Sequence, residues 1–297
     1  MPTAPATAPA APLRAWFAGL SPRWLIAFLI TVILVVGQIQ FGILKGLEVL
    51  ATALGVAVAS ELALSRFARG RWGSIQSAYI SGISATILTR PQEGLLWPFA
   101  LVAAISIASK YALTYRGRHL WNPTNFGISA TLLIAPGSVA VLSTQFDNSL
   151  WPLLVIWSVG LLVASRARIL HVTASYLVAF LALSWLRTLY TGEGYLNEIA
   201  PVTSPMYQLF LFFMITDPPT TVSTKRGRIG VAVLVAVVEC GIRLLDETPF
   251  RGLDLLLVAP PIFALAIVGP VAKLWDLTLG PGRVAAAPPP ARPAPAT

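Results

Sequence analysis

Long runs of apolar residues, interrupted by short polar stretches, dominate the pattern along the chain. A helix that crosses a bilayer needs about 20 apolar residues, or fewer where a broken helix is buried in protein. The pattern predicts ten such segments: 24–44, 47–65, 77–89, 94–113, 125–135, 150–165, 169–187, 206–216, 229–245 and 253–272. Three of them, 77–89, 125–135 and 206–216, are too short to span comfortably and either borrow adjoining residues or form half-helices. The pattern predicts an all-α polytopic membrane protein.

Basic residues are distributed unevenly between alternate loops of this arrangement. One set of loops, together with both termini, holds 16 of the 21 lysines and arginines, and the other set holds 5. In membrane proteins, cytoplasmic loops carry the excess of basic residues. The chain is therefore predicted to lie in a bacterial inner membrane with both termini on the cytoplasmic side. The net charge of +9 is therefore interpreted as a consequence of membrane topology. The predicted partner is the lipid bilayer, and no nucleic acid is predicted to bind.

The overall composition agrees with this class and excludes several others. The chain is 56% hydrophobic and only 11% charged, whereas about a quarter of the residues in a soluble domain are charged. This excludes a water-soluble globule. A single cysteine and two histidines exclude a disulfide framework, and an iron–sulfur or cysteine-type zinc centre built by this chain alone. No metal site is predicted.

Both ends of the chain differ from the apolar body. Residues 1–22 and 277–297 are rich in alanine and proline and have few large apolar side chains. Such segments bury too little surface to offset the entropy lost on ordering, so both are predicted to be disordered tails. The body then divides into a first five-segment repeat, 23–135, and a second, 150–276.

Two local patterns recur between these halves. The third segment ends with Thr89-Arg90-Pro91 and the eighth with Thr216-Asp217-Pro218; the fifth begins with Asn122-Pro123 and the tenth with Thr248-Pro249. Each pair is five segments apart, and because five is odd the halves would lie in opposite orientations. Inverted repeats with broken helices meeting near the midplane are typical of transport proteins. The alternative is that proline-containing loops recur by chance.

The residues at these breaks suit helix ends. Asp217 before Pro218 is predicted to be an N-cap with proline at the first helical position, and Asn122 before Pro123 plays the same part. Glycines at positions 82, 127 and 241 allow close approach of a helix or a ligand. A simple capping role explains either polar residue alone, whereas their paired placement favours a functional site.

Ionisable residues inside apolar segments are costly and are treated as functional candidates. Glu239 is predicted near the midplane of the ninth segment, with Arg243 at its outer end. Lys110 and Glu61 lie nearer the cytoplasmic end of their segments, where they could extend towards water. Lys110, Glu239 and Arg243 are predicted to form an ion or proton path; the alternative for Glu239 is a purely structural ion pair between helices.

Several strings resemble one family of membrane proteins. Residues 77–82 (SAYISG), followed by 89–91 (TRP), resemble the "SAL-x-x-G … L-x-x-P" segment of the NqrB/RnfD family, the membrane subunits of sodium-translocating NADH:quinone reductase and of the Rnf electron-transport complex. Ser109-Lys110 and Trp121-Asn122-Pro123 are similar to its "GK … G-K-N-x-F-N-P-A" run. Residues 212–218 (FFMITDP) resemble its "FFMATDP" string, the most specific of the matches.

This resemblance implies ten helices in two inverted halves, a fold akin to urea transporters, flavin binding, and work beside other membrane subunits of a redox complex. Members carry FMN covalently on a threonine of an S-G-A-T motif, which is missing here; the nearest string, 84–89, lacks the glycine. The expected cofactor is therefore a flavin (FMN or riboflavin) held non-covalently. The residues expected to bind it are Gly82, Thr89, Asn122, Pro123, Gly127, Thr216, Asp217 and Pro218. The short form also resembles UnbU-type membrane proteins of enediyne biosynthesis.

Three functions remain open at this level. The first is a redox membrane subunit that couples electron transfer across the membrane through a flavin. The second is a small-solute or cation transporter or channel on the same inverted-repeat fold. The third is a non-catalytic assembly subunit. No catalytic triad or carboxylate pair is evident, so the chain is at most one subunit of an oxidoreductase.

Overall fold

The computed structural model describes residues 22–44, 46–91, 94–140, 150–249 and 252–283. Its twelve α-helices are α1 (Pro22–Phe41), α2 (Leu47–Arg69), α3 (Ile75–Leu88), α4 (Trp97–Ala112), α5 (Pro123–Ile134), α6 (Leu150–Arg166), α7 (Leu170–Thr191), α8 (Tyr195–Ile199), α9 (Pro205–Leu209), α10 (Lys225–Leu244), α11 (Asp254–Leu257) and α12 (Pro260–Thr278). A π-helical turn, Phe210–Met214, continues α9. The all-α class is confirmed.

Four two-residue strands form two small ribbons. β1 (Arg90–Pro91) pairs with β4 (Val139–Ala140), and β2 (Thr114–Tyr115) pairs with β3 (Arg118–His119), both antiparallel. The β2–β3 turn has positive φ at both central residues, Arg116 and Gly117. This is the backbone of a two-residue type I′ hairpin, which matches the twist of the flanking strands. The β1–β4 ribbon joins two loops, whereas β2 and β3 form a hairpin within the single loop between α4 and α5.

Three of the described helices, α2, α7 and α12, are long and apolar enough to cross a membrane. α2 and α7 both end at glycines with left-handed backbone, Gly70 (φ 66°) and Gly192 (φ 77°), whose N–H groups bond back to the last turn. Glycine is preferred there because it has no Cβ to clash. Each of the ten predicted apolar segments coincides with a helix, although the last is split into α11 and α12.

Large apolar side chains face outward as well as inward. Trp185 and Leu189 of α7 and Val271 of α12 are more than half exposed, while Tyr176 and Phe210 are completely buried. A helix that is apolar all round suits a bilayer, where lipid rather than water covers its outer face. The exposed apolar surface thus agrees with the membrane class.

Several helix contacts recur between the two predicted halves, although α2 also packs closely on α3, whereas α7 makes few contacts with the π-helical turn Phe210–Met214. In the first half, α1 packs on α3, α2 on α4, and α4 on α5; in the second, α6 packs on α9, α7 on α10, and α10 on α12. Between the halves, α1 packs on α6 and α5 on α12. The partners across the boundary therefore occupy the same position in each half.

Some predicted boundaries differ from the structure. The second helical half does not end at 276, because α12 continues to Thr278 and Pro281–Arg283 form a further helical turn. Leu277 is buried there, and its carbonyl accepts a hydrogen bond from the Arg116 side chain at 3.1 Å. This tertiary contact orders residues that composition assigned to a tail. The remaining tail residues, 1–21 and 284–297, lie outside the described residues.

Candidate functional site

The candidate site is the junction where two interrupted segments meet. The Asn122 side chain caps α5 by accepting a hydrogen bond from the Asn125 N–H at 3.0 Å, with Pro123 in the first turn. The capping prediction for Asn122 is confirmed. The Nδ2 group of the same side chain donates to Asp217 Oδ2 at 3.2 Å. One side chain thus starts a helix and binds a carboxylate 95 positions further along the chain.

The predicted capping role of Asp217 is wrong, because no helix begins at Pro218. Asp217 instead holds a turn: Oδ2 accepts from the Thr220 hydroxyl at 2.9 Å, and the Asp217 carbonyl accepts from the Thr220 N–H at 3.3 Å. α10 begins later, at Lys225, where Thr224 accepts from the Gly227 N–H at 3.1 Å and acts as its cap. The helix after the break therefore begins after Thr224 and not after Asp217.

Contacts with α12 give the depth of the junction in the bundle. The Arg116 side chain reaches the carbonyl of Leu277, Trp121 Nε1 donates to the carbonyl of Ala266 at 2.9 Å, and Asn125 Nδ2 donates to that of Ile262 at 2.9 Å. A helix rises 1.5 Å per residue, so the distance along α12 from Leu277 to Ile262 is about 22 Å. The chain therefore runs beside α12 into the interior before α5 starts.

The N-termini of α5 and α12 abut at this depth. Asn125 is the third residue of α5 and Ile262 the third of α12, and each helix has proline at its first position. α5 continues away from the Arg116 end while α12 runs towards it. Two helix N-termini, each with the positive end of its dipole, therefore meet inside the bundle.

A proline inside α12 explains one of these contacts. Pro270 has no N–H, so the carbonyl four residues earlier, at Ala266, lacks its usual donor within the helix. The Trp121 indole N–H fills this position. The edge of the Trp121 ring also packs near Phe126, with ring centroids 5.5 Å apart.

Polar groups near the junction are mostly satisfied. The Thr216 hydroxyl donates to the Phe212 carbonyl. The Asn125 Nδ2 group also lies 3.6 Å from Met214 Sδ. Asn125 Oδ1, however, is buried without a hydrogen-bond partner among the described residues. An orphaned acceptor of this kind marks a position that a ligand or a water can occupy.

Other predicted site residues lie elsewhere in the structure. Gly82 and Gly127 lie where helices cross closely: a Cβ would be 3.1 Å from the Leu54 Cα at Gly82 and 2.7 Å from the Val102 carbonyl at Gly127. Thr89 is fully buried and caps the C-terminus of α3. Pro218 is exposed and lines a cavity at the Arg116 end. Of the eight predicted residues, Asn122, Pro123, Asp217 and Thr216 come together at the junction.

The predicted ionic residues form two separate buried clusters. Lys110, from the last turn of α4, donates to Ser77 Oγ at 2.9 Å and lies 3.7 Å from Glu61 Oε2. Tyr111 donates to Glu61 Oε1 at 2.7 Å. Lys110 and Glu61 were expected to extend towards water separately, but the structure pairs them inside the protein.

The second cluster surrounds Glu239, which is completely buried in α10. Arg243 donates to Glu239 Oε1 through Nε at 3.0 Å and Nη2 at 2.8 Å. The hydroxyls of Tyr176 and Tyr207 also donate to the carboxylate. Glu239 is the fifteenth of the 20 residues of α10, so it lies nearer the Arg243 end than predicted.

Tyr176 and Tyr207 are site residues that sequence reasoning missed. Tyr176 lies well inside the apolar helix α7, and Tyr207 lies near the start of an apolar segment. A tyrosine hydroxyl inside an apolar segment needs a buried partner, and this requirement could have indicated a link to the one carboxylate of α10.

Known proteins give no independent assignment. No protein-family model matches the chain, and a search of curated proteins found no match. The resemblance to the NqrB/RnfD strings therefore stays a prediction.

Proposed function

We propose that the chain is an integral membrane subunit of an electron-transport complex of the NqrB/RnfD kind, built as two inverted five-segment repeats. The observation that carries the proposal is the hydrogen bond between Asn122 and Asp217. It joins the two strings that most resemble the family, Trp121-Asn122-Pro123 and Thr216-Asp217-Pro218. Sequence motifs that converge from distant segments on one buried junction are expected where they share a ligand.

The packing scheme supports the inverted arrangement. Three helix contacts of the first half, α1 on α3, α2 on α4 and α4 on α5, have counterparts in the second, and the fifth helices, α5 and α12, meet through their N-termini while running in opposite directions. A pseudo-twofold axis between Asn125 and Ile262 accounts for this contact. Broken helices of this kind position binding sites near the midplane of many membrane carriers.

The two ionic clusters also use equivalent helices of the two proposed halves. The first uses helices two, three and four of its half, through Glu61, Ser77 and Lys110. In the second half, Tyr207 lies in the equivalent of α3, and Glu239 and Arg243 lie in the equivalent of α4. Lys110 belongs to the last turn of α4 and Arg243 to the last turn of α10. In an inverted repeat these turns lie at opposite membrane faces.

The charge and hydrogen-bonding groups of the junction suit an electron carrier. A flavin transfers one or two electrons and becomes more negative on reduction; the helix N-termini would stabilise that charge, and Asn125 Oδ1 would accept a hydrogen bond. We place the flavin at the junction, where a partner subunit completes its cover.

The test is the flavin content of the native complex. A tagged chain is purified with its partner subunits, and flavin is measured by visible absorbance and after denaturation. Asn122→Ala and Asp217→Asn should lose most of the flavin while partners are retained. Asn197→Ala, at an exposed position of the short helix α8, is the control and should keep both. A wild-type complex without flavin, or junction variants that match the control, would contradict the proposal.

A second candidate is transport of a small solute or cation, which the buried Glu239 cluster favours. A carboxylate held by one arginine and two tyrosines can exchange a proton or bind a cation along a path. Uptake into proteoliposomes should then be abolished by Glu239→Gln and unchanged by Glu193→Gln, whose side chain is exposed. Equal uptake by both variants would exclude Glu239 from the path.

A further inference from the structure

A small cavity at the Arg116 end of the bundle is lined by three basic side chains. They come from three separate elements: Arg118 from β3, Arg228 from the first turn of α10, and Lys273 from α12. The cavity volume is about 180 Å³. Lys273 is 3% exposed, whereas lysine is almost never so buried unless something pairs with it.

One acidic residue, Asp276, also lines this cavity, but its carboxylate has a structural task. Oδ1 accepts from the Ser223 hydroxyl at 2.9 Å and from the Gly282 N–H at 3.2 Å, and Oδ2 accepts from the Ser223 N–H at 2.9 Å. These bonds fix the wall formed by 223 and 282. Three positive charges and one negative charge leave the lining with a net charge of +2.

Two of the three basic side chains, Lys273 and Arg228, are held in place by backbone carbonyls. Lys273 Nζ donates to the Thr221 carbonyl at 2.5 Å, and Arg228 Nε donates to the Val222 carbonyl at 3.0 Å. Carbonyls orient these groups without cancelling their charge. Pre-oriented arginines and a lysine are the groups that bind phosphate oxygens in proteins.

We propose that this cavity binds a phosphate group. The volume accommodates one phosphate with a small substituent and is below the range of pockets that enclose larger ligands. The cavity lies at the end of α12 beside Trp275, whose ring is 56% exposed and suits the membrane interface. A phosphate at this level comes either from an anionic lipid headgroup, as in basic pockets between membrane helices, or from a soluble phosphate compound. This site is separate from the junction, and its occupancy does not depend on flavin.

The experiment uses the full chain purified in phosphate-free detergent. In the first arm, inorganic phosphate is titrated by calorimetry. In the second, native mass spectrometry compares retention of phosphatidylglycerol with that of phosphatidylcholine. A lipid source predicts that phosphatidylglycerol is retained and that added phosphate competes with it. A soluble source predicts that phosphate binds and neither lipid is retained.

Matched arginine variants decide whether the cavity is the site. Arg118→Gln and Arg228→Gln should each weaken binding at least tenfold, because each removes a charge-assisted hydrogen bond to the phosphate. Arg226→Gln is the control: it removes the same charge two residues from Arg228, at an exposed position that does not line the cavity. It should change binding less than twofold. Lys273→Met is the third variant, and size-exclusion elution checks that it folds.

Two results would overturn the proposal. One is that neither inorganic phosphate nor phosphatidylglycerol binds the wild-type chain. The other is that Arg226→Gln weakens binding as much as Arg118→Gln and Arg228→Gln, which would show general attraction to a basic surface. Flavin content of the complex is measured independently, so failure here leaves the redox proposal standing, and the reverse also holds.

Discussion

The buried carboxylate of Glu239 shows how single side chains sustain charge inside an apolar bundle. An isolated carboxylate is expensive to bury, and it persists only when it is paired and hydrogen-bonded. Arg243 supplies the opposite charge, and Tyr176 and Tyr207 supply neutral hydrogen-bond donors. The Phe180 ring lies 5.8 Å from the Arg243 guanidinium carbon and covers its other side. Four side chains from three helices therefore act as one unit.

Removing one tyrosine hydroxyl should expose this interdependence. Tyr207→Phe keeps the ring and deletes one donor to Glu239, so we expect the free energy of unfolding to fall by about 1–3 kcal/mol. Tyr190→Phe is the control, because its side chain is 72% exposed, and it should change stability by less than about 0.5 kcal/mol. Thermal unfolding in detergent measures both. Equal melting temperatures for the two variants would show that the Tyr207 hydroxyl adds nothing to the cluster.

For single residues, the sequence predicted roles that depend on neighbouring residues better than contacts between distant side chains. Asn122 was predictable as a cap because an asparagine followed by proline is a local signal. Asp217 carries the same local signal, yet Thr220 and Asn122 hold its carboxylate in a turn. Lys110 and Glu61, which form an ion pair, lie 49 positions apart in the chain, so only the packing of α2 on α4 reveals the pair.

Among the helices, α12 has the most unusual role because other segments bond to its backbone. Pro270 leaves the Ala266 carbonyl without an N–H donor in its own helix, and Trp121 replaces that donor. In an apolar environment an unsatisfied carbonyl is costly, and neighbouring segments commonly satisfy groups that proline leaves free. The proline and the tryptophan, 149 positions apart, are thus matched to each other.

A double-mutant cycle tests this match. Trp121→Phe should destabilise the protein by about 1–3 kcal/mol because it orphans the Ala266 carbonyl. In a Pro270→Ala background, residue 270 supplies the missing N–H, so the same Trp121→Phe change should cost less by at least about 1 kcal/mol. Unfolding in detergent, followed by circular dichroism, gives all four stabilities. Trp185→Phe, at a half-exposed position on α7, controls for loss of an indole. Strict additivity of the two changes would contradict the explanation.

Element boundaries were predictable to the extent that they depend on local signals. The glycines that end α2 and α7 and the proline that starts α5 are recognisable in the sequence. The break between α11 and α12 was missed, although Pro260 and Pro261 disfavour helix just before them. The apolar residues on either side concealed it, because hydropathy alone does not distinguish one long helix from two short ones.

For the molecule as a whole, the proposed inverted topology assigns each loop to a membrane face. Loops after even-numbered segments, which carry the basic excess, would face the cytoplasm, and loops after odd-numbered segments would face outward. The hydrogen bonds from Arg116 to Leu277 and from Ser223 to Asp276 join two loops of the first kind to the last turn of α12. The β1–β4 ribbon joins two of the second kind. These contacts between described residues are compatible with the alternation.

Cysteine labelling in intact cells checks the assignment. The native Cys240 is buried and is first replaced by alanine. Single cysteines at exposed Thr114 and Ala167 should then resist a membrane-impermeant maleimide, and those at exposed Gly137 and Glu193 should react. Each face is thus tested at two positions. Reaction at all four positions after lysis controls for access, and labelling of Thr114→Cys before lysis would contradict the topology.

The dependence of α5 on α12 has a consequence for biosynthesis. Trp121 and Asn125 donate to carbonyls of α12, so the entrance to α5 stays incompletely bonded until α12 has been synthesised. A nascent chain stopped before residue 260 would hold exposed donors within the lipid and would be a substrate for membrane proteases. Insertion of the first half and its final folding are therefore separated in time by the synthesis of more than a hundred residues.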